Sequence, residues 1–155
     1  MAKNKNSNSG GIIMFVGALS FIAYGIIFFF RAFSGKGFEL GVETIGGATQ
    51  AQLTAFNPSL VPYITHLHIA TAAFIIATGI AVGALSLYGV RRGDWWAWIA
   101  AVIAPVVGLA MALPMHYFNL FSYNQITHLG PIYVGTTVYV VGALVALKGL
   151  MAPSI

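Results

Sequence analysis

Four uncharged apolar stretches dominate this chain of 155 residues. They cover residues 11–30, 63–90, 95–116 and 129–147, and none of them contains Lys, Arg, Asp or Glu. A run of about 18 or more such residues is long enough to cross a bilayer core of about 30 Å as a helix. We therefore predict an all-α, polytopic membrane protein whose four transmembrane helices form a bundle.

The composition excludes several other classes of protein. Charged residues make up 6% of the chain, whereas a soluble domain carries about 25%. The chain has no cysteine, which excludes disulfides, thiolate metal sites and iron–sulfur clusters. The net charge of +4 does not indicate nucleic-acid binding, because no basic run exceeds Arg91-Arg92 and phosphate recognition needs a clustered basic face.

The polar segments define the domain organisation and the topology. Residues 1–10 are predicted to be a disordered N-terminal tail, residues 11–151 a single transmembrane domain with a long outer loop at 34–62, and residues 152–155 a C-terminal tail. Basic residues favour the cytoplasmic side of short loops. We predict a cell-membrane protein with both termini cytoplasmic, because that arrangement puts five basic residues inside (Lys3, Lys5, Arg91, Arg92 and Lys148) and two outside (Arg31 and Lys36).

Small residues recur at four-residue spacing along two of the predicted spans. The second span contains Ala73, Ala77 and Ala81 and also the pair Gly79 and Gly83, and the third span contains Ala100, Ala104, Gly108 and Ala112. Such stripes let helix backbones approach closely in lipid. Because a short turn joins these two spans, we expect the stripes to pack the spans against each other. An oligomer interface is the alternative.

An internal repeat relates two segments at an offset of 62 residues. Phe56-Asn57 precedes residues 64–67 (ITHL), and Phe118-Asn119 precedes residues 126–129 (ITHL). Both segments lead into a predicted span. The pattern indicates a duplicated two-helix hairpin, whose halves would be related by an axis along the membrane normal.

The predicted topology puts four candidate metal ligands, His66, His68, His116 and His128, at the outer ends of the spans. Imidazole is a common ligand of zinc, copper and haem iron. His66 and His128 occupy equivalent positions in the repeat. Together they could bind the iron of haem b, or together with His116 they could bind a copper or zinc ion. Arg31 would then pair with a haem propionate. Glu39 or Glu43 would complete a histidine–carboxylate metal site if the outer loop folds back over the mouth of the bundle.

A structural role for these histidines is the alternative. Imidazole is amphipathic and suits the headgroup layer of a membrane. His66 and His68 are two residues apart, which corresponds to about 200° around a helix. They cannot both face the axis of the bundle, so at least one of the two has another role, such as contact with lipid or with a partner protein.

Two segments carry a resemblance to known proteins. Residues 89–98 read GVRRGDWWAW, and residues 127–131 read THLGP. Together they resemble small four-helix integral membrane proteins of archaea and bacteria. The resemblance implies the fold and the membrane location, and it implies no activity.

Three functions fit these observations. The first is a non-catalytic accessory subunit of a larger membrane complex, of the respiratory or monooxygenase type, with the bilayer and other membrane subunits as partners. The second is a small redox or metal-binding membrane protein that uses the outer histidines. The third is a protein that binds a lipid or another apolar ligand. Ion transport is disfavoured because the spans lack charged residues at mid-membrane, and we do not expect catalysis from this chain alone.

Overall fold

The structure, a computed structural model, describes residues 5–34, 38–118 and 121–152. The α-helices in this part of the chain are α1 (Lys5–Phe33), α2 (Gln50–Phe56), α3 (Leu60–Tyr88), α4 (Trp95–Tyr117), α5 (Gln125–His128) and α6 (Gly130–Leu150). Four of them, α1, α3, α4 and α6, are long and apolar enough to cross a membrane. The prediction of an all-α chain with four such helices is confirmed, and their contacts are consistent with a bundle.

Helix α1 lies at the centre of the bundle and packs against both α3 and α6. Glycines make this close packing possible. A Cβ atom on Gly79 of α3 would meet the side chain of Ile22, and one on Gly142 of α6 would meet the backbone of Met14. Met14 and Ala18 of α1 are completely buried in the core between the helices. The small residues thus let the helix backbones contact each other directly, as small residues do in membrane helix pairs.

The start of α1 differs from the predicted disordered tail. The helix begins at Lys5, and the tail residues 1–4 lie outside the described residues. Ser7 is 1% exposed, because it packs against Gly149 near the end of α6. The side chain of Asn8 accepts a hydrogen bond from Arg91 Nε at 3.0 Å. The polar composition of residues 5–10 therefore reflects contacts with neighbouring segments and is compatible with a helix.

The two ends of the bundle differ in composition. At one end, a 3₁₀ turn (Val90–Arg92) and Gly93, which has a φ of 91°, connect α3 to α4. We call this the tryptophan end, because Trp95 and its neighbours begin α4 there. The opposite end, where α1 and α4 finish and where α3 and α6 begin, is called the histidine end, because all four histidines lie there.

Helix α4 lies at the side of the bundle. Near the tryptophan end it is joined to α6 by two hydrogen bonds, from Trp98 Nε1 to the Ala143 carbonyl at 3.0 Å and from the Tyr139 hydroxyl to the Ala101 carbonyl at 2.9 Å. Further along α4, a Cβ atom on Gly108 would meet nothing within 4 Å. The stripe of small residues on α4 was expected to pack against the preceding span. Instead, Gly79 of that span packs against α1, and its alanines at 73, 77 and 81 are exposed. On α4, the stripe residues Ala104, Gly108 and Ala112 are also exposed.

Candidate functional site

A segment of the long loop between α1 and α2 folds back over the histidine end. Phe38 and Val42 anchor this segment, since each is 3% exposed. Gly41 lies between them with a φ of 80°, and its carbonyl accepts a hydrogen bond from Asn124 N at 2.8 Å. A left-handed φ favours glycine, and a side chain here would also meet Thr127. The segment consequently holds Glu39 and the Leu40 carbonyl close to α5.

His128 is the most deeply buried of these histidines. It ends the short helix α5, whose first turn is capped by the Asn124 side chain, and it is 1% exposed. Its Nδ1 lies 2.6 Å from the Leu40 carbonyl oxygen. A carbonyl oxygen can only accept a hydrogen bond, so Nδ1 carries the hydrogen. The loop thereby fixes both the orientation and the tautomer of this imidazole.

His116, on the last turn of α4, faces His128. Its Nδ1 lies 3.1 Å from the Ala112 carbonyl oxygen of the same helix, so this Nδ1 also carries the hydrogen. The Tyr123 hydroxyl donates a hydrogen bond to the His116 carbonyl at 3.2 Å. The rings of Phe121 and Tyr123 pack around the imidazole, with centroids 5.5 and 5.4 Å from it.

The two Nε2 atoms of His116 and His128 are 2.7 Å apart. With both Nδ1 atoms protonated, each neutral imidazole presents a lone pair at Nε2. Two lone pairs at this distance repel each other unless a cation lies between them. Glu39 supplies the matching negative charge, because its Oε2 is 3.4 Å from His128 Nε2. The arrangement therefore suits either a shared proton or a metal ion.

The three side chains form a set of metal-ligand atoms. One ligand atom from each of Glu39, His116 and His128 lies within 4.8 Å of the other two. Two imidazoles and one carboxylate occur in zinc sites and in non-haem iron sites. Two nitrogens bound to one tetrahedral zinc ion are about 3.3 Å apart, so metal binding would require the Nε2 atoms to separate by about half an ångström.

His68 adds a further imidazole on the other side of the carboxylate. Its Nε2 is 3.7 Å from Glu39 Oε1, and its ring packs against Phe28 of α1 with centroids 5.2 Å apart. Glu39 therefore lies between His68 and His128 and uses a different oxygen atom towards each. A hydrogen bond from His68 would restrict the rotation of the carboxylate.

The other predicted site residues lie outside this set. His66 is exposed on α3, and Glu43 is exposed in the loop. Arg31 is half-buried near the end of α1, and its Nε is buried without a hydrogen-bond partner among the described residues. The structure thus brings His128 together with His116, and it does not bring together His66, His128 and Arg31, the set considered for haem b.

Two of the contacts that organise the site are with backbone carbonyls, those of Leu40 and Ala112. Sequence reasoning missed both, because every residue has a carbonyl and no pattern marks these two. The only hint in the sequence is Gly41, because a glycine directly after Glu39 and Leu40 is compatible with a sharp turn that would bring the Leu40 carbonyl back to the bundle.

A depression of about 480 Å³, lined partly by His116, Tyr123 and Gln125, gives access to the site from the histidine end.

Comparison of the chain with protein-family models, with curated proteins and with solved structures gives no match. The geometry of the site is therefore the basis on which a function can be assigned.

Proposed function

We propose that the four long helices cross a cell membrane, with both termini in the cytoplasm and the histidine end on the outer side. The length and apolar character of these helices support the proposal. So does the excess of basic residues at the tryptophan end. Exposed Trp95 and Trp96 at the start of α4 match the aromatic belts found at membrane interfaces.

We further propose that the protein binds one transition-metal ion between Glu39, His116 and His128. The observation that carries this proposal is the convergence of two Nε2 lone pairs next to a carboxylate oxygen. Metal-binding histidines characteristically donate their other ring N–H to a carbonyl or carboxylate. Both imidazoles here do so, towards Leu40 and Ala112.

Zinc, copper and non-haem iron are the ions that suit this set of ligands. The geometry does not favour haem b. His66, the predicted partner of His128 in a haem site, is exposed on α3. The Nε2 atoms of His116 and His128 are 2.7 Å apart, which leaves no room for a porphyrin between these two rings. The proposed role of the site is to bind the ion, and we assign no catalytic step to it.

The test is a measurement of zinc, copper and iron in the purified full-length protein after dialysis against each ion. We expect close to one ion per chain in the unsubstituted protein and in His66→Ala, and a loss of the ion in His116→Ala. X-ray absorption should show two imidazole nitrogens and at least one oxygen as ligands. Absence of a stoichiometric ion in the unsubstituted protein would contradict the proposal and would favour a proton shared by the two histidines.

The role of accessory subunit in a respiratory or monooxygenase-type complex stays a prediction, compatible with metal binding. A native gel of membranes solubilised in mild detergent tests it. Co-migration of the chain with larger membrane subunits would support the role, and migration as a stable lone species would contradict it.

A further inference from the structure

A cavity of about 340 Å³ lies between α1, α3, α4 and α6. Its wall on α4 consists partly of the small residues Ala104, Gly108 and Ala112. The space exists because these side chains are short and because the two hydrogen bonds between α4 and α6 lie nearer the tryptophan end. Residue 108 has room for a full side chain, since a Cβ there would meet nothing within 4 Å.

The cavity extends towards the candidate metal site. Ala112 lines the cavity, and its carbonyl orients His116. On the opposite wall, Tyr24 packs against Phe28 with ring centroids 6.2 Å apart, and Phe28 packs against His68. A molecule in the cavity would therefore have its outer end close to the Glu39–histidine cluster.

The lining determines the chemistry of a ligand. Its surface is almost entirely apolar, and no charged residue contributes to it. The polar groups on the wall are the hydroxyls of Tyr24, Thr71 and Thr78. Apolar cavities of about 150 Å³ stay dry and take up small hydrocarbons, and ligand pockets begin at about 300 Å³. The walls thus favour an uncharged apolar body with a group that can form a hydrogen bond.

We propose that this cavity binds a small, uncharged, lipid-soluble molecule with its polar end towards Glu39 and the histidines. The position of this end beside a metal ion depends on the proposed function. Occupation of the cavity does not depend on it. The molecule enters from the bilayer, because the proposed transmembrane helices form the walls. The hydroxyl groups of Tyr24, Thr71 and Thr78 on the wall favour a free molecule over the acyl chain of a phospholipid, because an acyl chain has no group that forms a hydrogen bond with them.

Photolabelling of the full-length protein in lipid nanodiscs tests the proposal. The probe is a ten-carbon alcohol that carries a diazirine, and labelled positions are located by mass spectrometry. We expect labels on the cavity-lining segments of α3 and α4 that an excess of unlabelled decanol removes. Gly108→Leu fills the space and should reduce this labelling by about tenfold or more. Ala110→Leu, at an exposed position outside the cavity lining, should leave it unchanged.

Three results would overturn the proposal. The first is labelling spread evenly over the exposed surface and unaffected by Gly108→Leu. The second is preferential labelling of the cavity by a phospholipid with a diazirine in its acyl chain, with no competition from decanol. The third is crosslinking of the cavity-lining residues to a helix of a second protein, if Gly108→Leu abolishes that crosslinking.

Metal content, measured on the same samples, separates the two proposals. Gly108→Leu should keep its metal ion while it loses the label, because residue 108 is two turns of α4 away from His116. Labelling that depends on Gly108 in a protein that binds no metal would support the cavity and contradict the proposed metal site. A bound metal with no specific labelling would contradict the cavity proposal alone.

Discussion

The two copies of the ITHL repeat lie in opposite surroundings. In the first copy, His66 is exposed and Leu67 is 46% exposed. In the second copy, His128 is 1% exposed and Leu129 is completely buried. The same four residues therefore form a surface of α3 in one place and part of the candidate metal site in the other.

Local helix signals explain this difference. The first copy lies inside α3, which begins several residues earlier at Leu60. The second copy forms its own one-turn helix, because the Asn124 side chain caps Ile126 N and Thr127 N and Pro131 lies at the start of the next helix. Proline favours the first turn of a helix, where its missing N–H is not needed. Two copies of a sequence motif therefore have the same structural role only where the helix boundaries around them are also the same.

Alanine substitution of the two equivalent histidines gives the largest expected contrast. His128→Ala removes a ligand atom and leaves the Leu40 carbonyl without its hydrogen bond. We expect the metal affinity to fall more than about 100-fold, because loss of a supporting contact alone typically costs about 10–100-fold. The free energy of unfolding should fall by about 2–4 kcal/mol. His66→Ala should change neither quantity, and equal losses in both variants, measured by metal competition and thermal unfolding in detergent, would contradict the assignment.

The two loop carboxylates provide a second contrast. Glu39→Gln removes the charge that faces His128, and we expect the metal affinity to fall by about 10–100-fold. Glu43→Gln is the matched control, because Glu43 is exposed in the same loop. Metal competition assays on both variants measure the difference. An equal effect of the two substitutions would indicate that the loop contributes general negative charge and no specific ligand.

Substitution of the loop glycines tests whether the loop positions the second copy. Gly41→Ala places a side chain at a φ of 80° and against Thr127. We expect a loss of about 1–3 kcal/mol in unfolding free energy and a decrease in metal affinity of about tenfold. Gly46→Ala is the control, since Gly46 has a φ of 60° and nothing within 4 Å. A decrease in metal affinity as large in Gly46→Ala would contradict the role of the Gly41 turn.

His68 gives the smallest expected effect. His68→Ala removes the imidazole that lies 3.7 Å from the second oxygen of Glu39, and even a fully charged, partly exposed pair of this kind is worth only about 0.2–1 kcal/mol. We therefore expect the metal affinity to fall by no more than about fivefold. A loss as large as that in His128→Ala would show that His68 is itself a ligand of the ion. The binding isotherm of the variant decides between these outcomes.

The number and approximate extent of the long helices could be predicted from the sequence, because an uncharged apolar stretch of this length has few alternatives to a helix in a chain that crosses a membrane. The precise ends of the helices could not be predicted from the sequence. The polar residues at the start of α1 resemble a tail in composition, and their contacts with Arg91 and Gly149 are distant in sequence. The packing partners of the small-residue stripes could not be predicted either. A stripe indicates that close helix contact is possible, but it does not identify the neighbouring helix.

The candidate site could be predicted in part. The location of the histidines at one end of the bundle followed from the topology, and the return of the loop with a carboxylate was one of the expectations. The choice between His66 and His68, and between Glu39 and Glu43, depended on helix rotation and on the turn at Gly41. A rotation of about 100° per residue separates a buried side chain from an exposed one, and the sequence pattern alone does not define the rotation.

The packing of α1 against α6 has a consequence for the timing of biosynthesis. Of the helices described, α6 is the last to be made, and 96 residues separate Phe33 from Gly130. At a synthesis rate of about 5–20 residues per second, about 5–20 s pass between the synthesis of α1 and that of this neighbour. During that interval the glycines of α1 that later contact α6 lack this packing partner. The bundle is therefore vulnerable to competing helix pairings until translation of α6 is finished.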